Sequence, residues 1–93
     1  MKKMEFDVIE KVQGSLISYV AKLQGVDEEI QLQQSNPGSY PEITTYLKKL
    51  GLDVSLVYDA SLGDTLQGQR WSYNRNVCVV VVNDMPRTIF RIG

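Results

Sequence analysis

The chain has 93 residues, 43% of them hydrophobic and 23% charged, with a formal net charge of −1, one cysteine and no histidine. That length allows one domain with a modest core, and the composition excludes both a disordered chain and a disulfide framework. The missing histidine removes the commonest general base, the usual metal ligand and the physiological pH switch, so neither an ordinary zinc site nor an imidazole-activated nucleophile is available.

The charge is divided along the chain. Residues 1–69 hold all six lysines and ten of the eleven acids, whereas residues 70–93 hold all four arginines and one acid, Asp84. Met1-Lys2-Lys3 could open a signal peptide, but Glu5, Asp7 and Glu10 interrupt its apolar region. The longest apolar run is the six residues 77–82, far short of a membrane span. A cytoplasmic address is therefore expected.

From Glu5 to Gln24, Ile9, Val12, Leu16, Tyr19 or Val20, and Leu23 recur at three- and four-residue steps. That spacing predicts a first helix with one core-facing stripe, tolerating Gly14 inside and ending at Gly25. Asp27-Glu28-Glu29 reads as a solvated charged turn. Residues 29–33 alternate and predict a short edge strand or extended segment.

Ser35-Asn36-Pro37-Gly38 is a turn by composition. A second helix is predicted over 40–50, with Ser39 and Glu42 spaced as a capping box, Pro41 in the first turn and Gly51 as its stop. Leu52, Val54, Leu56 and Tyr58 then alternate as a strand with one core face. Gly63 and Gly68 have the separation of a phosphate-binding loop. Gln69 and Arg70 replace its lysine and hydroxyl, however, so a plain loop is the better reading.

The run Val77-Cys78-Val79-Val80-Val81-Val82, bounded by Asn76 and Asn83, predicts a strand buried on both faces, with Cys78 a small buried hydrophobe. Asn83-Asp84-Met85-Pro86 turns the chain into a last strand, Arg87 to Ile92. The expected fold is a single α+β domain over 1–93: two helices, then a mainly antiparallel sheet of three to four strands with a C-terminal hairpin. Two helices on one face would leave one valine triplet bare, which argues for a homodimer or a stable partner over it.

Arg70-Trp71-Ser72-Tyr73-Asn74-Arg75 interleaves aromatics with arginine. Such a segment packs as core, meets another protein at a hot spot, or stacks on single-stranded nucleic acid. The negative overall charge weighs against the last, since cations supply most affinity for phosphate chains. The expected function is a non-catalytic protein-binding module, an inhibitor or adaptor. Arg70, Trp71, Tyr73, Arg75, Arg87 and Arg91 are its candidate partner-binding residues, and no cofactor or metal is expected. Single-stranded nucleic-acid binding through 70–75 is the alternative, and an enzyme built on Asp, Tyr or Arg is a third reading.

Overall fold

Residues 5–24 form two strands rather than a helix. The computed structural model describes residues 3–33, 39–60, 63 and 76–93. In it, β1 (Met4–Gln13) and β2 (Leu16–Leu23) are an antiparallel hairpin. The same residues that step by three and four also carry a period of two. Met4, Phe6 and Val8 share one face of β1, and Tyr19, Ala21 and Leu23 share one face of β2. The β-branched Val8, Ile9, Val12, Ile17 and Val20 favour that period. Gln13 pairs with Leu16, which leaves Gly14-Ser15 as a two-residue turn. Gly14 has φ +62° while Ser15 does not have positive φ, the pattern of a type II′ turn with glycine first.

After β3 (Glu29–Leu32) come the helix α1 (Pro41–Lys49), β4 (Val54–Asp59), β5 (Val77–Val82) and β6 (Met85–Ile92). The strands form one sheet of order β3-β2-β1-β5-β6-β4, parallel between β1 and β5 and antiparallel elsewhere. The expected α+β order of two helices followed by a three- to four-stranded sheet is thereby corrected. The chain is mainly β, a six-stranded mixed sheet with one short helix and strands on both sides of it in sequence.

The helix begins at Pro41, but the capping box does not form. Tyr40 is the N-cap, in a left-handed conformation (φ 47°, ψ 67°) without a side-chain cap bond. Glu42 instead accepts a hydrogen bond from the Gln33 N–H (2.9 Å), tying the end of β3 to the first turn of α1. At the other end, the Gly51 N–H donates to the Lys48 carbonyl (3.0 Å) and the Leu52 N–H to the Leu47 carbonyl (3.2 Å). With Gly51 at φ +84°, this is a Schellman stop.

One face of the sheet packs under α1. Phe6, Ala21, Leu32, Cys78, Val80, Phe90 and Ile92 are buried there with Tyr40, Ile43 and Leu47. The Phe6 and Tyr46 rings meet edge to face at 6.0 Å. On the other face Tyr58, Val77, Val79 and Ile89 form a second buried cluster, with Ala60 and Val81 packed against it. Val77 and Val79 are only 1% and 6% exposed within a single chain. The bare valine triplet is therefore not there, and β5 supplies no reason for a second copy.

Two bulges set what β4 and β6 present. Val57 is the extra residue between Leu56, opposite Phe90, and Tyr58, opposite Ile89, so the strand changes phase. Tyr58 reaches the second face, and Asp59 comes opposite Thr88. Arg87 is the extra residue of β6, between Pro86 and Thr88. The β5–β6 turn, Asn83-Asp84, has positive φ at both residues, as a type I′ hairpin requires.

Candidate functional site

Buried polar chemistry is concentrated at one place. Asp59 and Thr88 are buried side by side on β4 and β6. Arg87 and Asp59 both lie near enough to the Tyr40 phenol to act on it electrostatically. Burial raises the Tyr40 pKa above its usual 10.0, Arg87 opposes that and Asp59 adds to it. Asp59, Arg87 and Thr88 are all engaged by other groups. Tyr40, the N-cap of α1, is thus buried with a neutral phenol where the helix meets the sheet. Cys78 is equally withdrawn, since burial pushes its thiol from 9.0 up to about 12. Among the described residues no three His, Cys, Asp or Glu side chains are placed to hold a metal ion, and no described helix is long and apolar enough to cross a membrane.

Four exposed large apolar side chains, Ile9, Val12, Leu16 and Ile17, lie together at the far end of β1 and β2, whereas Leu50, Leu56, Val57 and Met85 are spread over other elements. β1 pairs with β5 only over Met4–Val8, and β2 with β3 only over Tyr19–Lys22. In the described pairings, residues 9–13 and 16–18 therefore bond only to each other, as a two-stranded arm running past the sheet. Val12, Leu16 and Ile17 on this arm are 62%, 67% and 53% exposed. Val12 stands directly opposite Ile17 on the face that carries α1 farther down. Ile9 and Leu16 lie on the other face. Lys11 crosses to Glu29 (2.7 Å) and the Tyr19 hydroxyl reaches Glu10 (3.4 Å), so polar contacts brace the base of the arm and leave its tip apolar.

Two surface depressions also lie among the described residues. A groove of about 340 Å³ runs between α1 and β4, lined by Pro41, Thr44, Thr45, Val54, Leu56 and Phe90 with Ser39 at its end. A second, about 440 Å³, is polar and acidic, with Glu5, Asp7 and Asp84 on its walls.

Of the arginine surface expected from the sequence, only Arg87 and Arg91 fall among the described residues. Arg70, Trp71, Tyr73 and Arg75 lie outside them. Arg91 is exposed on β6 opposite Val77, whereas Arg87 sits half-buried in its bulge beside Tyr40. Four residues of strand, about 13 Å, separate the two. The arm escapes the sequence reading because Ile9, Val12 and Leu16 fall on the helical stripe, which leaves Ile17 out. Its signal was Gly14-Ser15 between β-branched residues, a Gly-X hairpin turn. Compared with protein-family models, with curated proteins and with solved structures, the chain matches none.

Proposed function

We propose that the protein acts without catalysis, as an inhibitor or adaptor that docks onto another protein through the β1–β2 arm. The observation that carries this reading is the exposure of Val12, Leu16 and Ile17 together, on the segment where each strand is paired on one side only. Isolated exposed aliphatics are ordinary, but three on one projecting ribbon, Val12 and Ile17 on one face and Leu16 on the other, give it apolar surface on both sides, which interaction sites use. The open backbone edges add hydrogen-bonding groups that a partner strand can complete. Because Val12 and Ile17 face one way and Leu16 with Ile9 the other, a cleft that takes the ribbon between its walls covers more of it than a flat surface does.

A photo-crosslinking side chain placed at Leu16, and in a second protein at the exposed Asp53, tests this in the native cell. A discrete adduct from position 16, absent from position 53 and lost on Val12→Asp, is the expected result. Equal adducts from both positions, or capture of the same protein after Val12→Asp, would overturn it.

A further inference from the structure

The groove between α1 and β4 has a matching occupant in the chain itself, and we infer that the arm of one copy docks reversibly in the groove of another. This rests on the reading of the arm as a docking element and adds a site for it. The two features stand at opposite corners of the sheet. The arm continues past Val8 and Val82, at the end that holds the β5–β6 turn. The groove follows β4 from Val54, which pairs with Ile92 at the other end. Four strand spacings separate β2 from β4, about 19 Å. An arm therefore cannot reach its own groove, and the contact is between molecules, head to tail.

The chemistry of the two halves agrees. The described lining of the groove carries no charge: Val54, Leu56 and Phe90 form an apolar floor, and Thr44 and Thr45 a helical wall with methyl groups to offer. The Val12–Ile17 pair is aliphatic and belongs to a narrow two-stranded ribbon. Beyond Thr44 and Thr45 the same helical wall continues, four residues on, to Lys48 and Lys49, both exposed. On the arm, Glu10 shares the face of Val12, two residues away. An acid beside the apolar knob thus meets cations beside the apolar slot.

Area decides the strength. One arm covers on the order of a few hundred Å² per copy, below the ~800 Å² per partner of stable complexes. The contact is therefore weak, concentration-dependent, and displaced by a tighter partner for the arm. A head-to-tail contact that does not close leaves one arm and one groove free at every stage and yields short open chains rather than a fixed dimer.

Sedimentation velocity from about 10 μM to about 1 mM reads the association. The wild-type protein should gain mass with concentration beyond two copies. Ile17→Lys, in the arm, and Leu56→Lys, in the groove, should each remain monomeric. Mixed one to one, these two variants should form pairs and stop there, because only one intact arm–groove combination exists between them. Glu10→Lys should weaken association about tenfold, and Lys48→Glu with Lys49→Glu should restore it in the mixture. Circular dichroism checks each fold; Val12→Ser and Thr45→Lys replace any variant that fails. A wild-type protein that stays monomeric throughout, association of Ile17→Lys or Leu56→Lys alone, or a mixture of those two that stays monomeric overturns the inference. Leu56→Lys leaves the arm intact, so its photo-crosslinking at position 16 still reports on the proposed function. A monomeric wild type with arm-dependent crosslinking removes self-docking alone.

Discussion

Strand β5 and the β1–β2 arm are built from the same aliphatic residue types and have opposite fates. Cys78 to Val80 are paired on both sides, by β1 and β6, and buried on both faces. Val12, Leu16 and Ile17 are paired on one side and exposed. Hydrophobicity alone does not separate core from surface here. Position in the sheet does: β5 is a central strand whose side chains join both buried clusters, whereas the ribbon runs past the strands that flank it. Substitutions in the two regions should therefore differ in kind, costing stability in the first and binding in the second.

The largest effect belongs to the centre. Phe6 is fully buried, opposite Val80 and against Tyr46. Phe6→Ala should cost about 3–5 kcal/mol, a transfer loss plus a cavity that the packed sheet closes only in part. Urea denaturation measures it. A loss under about 1 kcal/mol would mean that this layer is no better packed than the arm.

Next comes Cys78, whose thiol tests how dry the β5 centre is. Its pKa stands at about 12 in the folded chain against 9.0. Above pH 9.0 the unfolded chain gives up this proton while the folded chain retains it. Stability is thus complete below that value and falls as pH rises toward about 12, by about 4 kcal/mol over the full interval. The raised phenol of Tyr40 acts in the same direction from about pH 10. Cys78→Val should flatten the part of the slope that starts near pH 9.0, as read from denaturation midpoints at a series of pH values. An unchanged slope would place water at the thiol.

The legibility of the two regions follows the same physics. The valine run was readable because burial on both faces removes alternation and leaves a mark that no amphipathic helix makes. The unit α1–Gly51–β4 was readable from its punctuation, since Pro41 and Gly51 act locally. The hairpin was not. Ile9, Val12, Leu16, Val20 and Leu23 belong to both faces of two strands, and merged into one list they imitate a helical stripe. The bulges at Val57 and Arg87 depend on pairing partners that no local pattern records. The candidate site fared worse, because exposure of the arm is a consequence of strand order.

A smaller effect sharpens the boundary between the regions. Gly14 at φ +62° has open space where a Cβ would stand, so Gly14→Ala meets no clash and pays only for its backbone. That cost is about 1–3 kcal/mol for a positive-φ turn conformation that suits glycine. It should fall on the arm alone, read as faster amide hydrogen exchange in residues 9–13 and 16–18 with β5 amides unchanged. Faster exchange of the β5 amides in the same variant would show that the arm and the sheet open together.

The smallest stability effect is the most telling for function. Leu16→Gln and Val12→Thr replace side chains already facing water, so each should shift stability by less than about 0.5 kcal/mol in either direction. The folded spectrum and the urea midpoint should match the wild type. Both variants nevertheless remove apolar surface from the segment that would enter a partner's cleft, where a buried anchor is worth about 2 kcal/mol or more. Crosslinking or capture through the arm should then fall by at least about tenfold while the fold is untouched. If instead either variant lost as much stability as a β5 truncation, Val12 and Leu16 would belong to the packing of the chain. The contrast between a covered strand and a bare ribbon would then fail at its foundation.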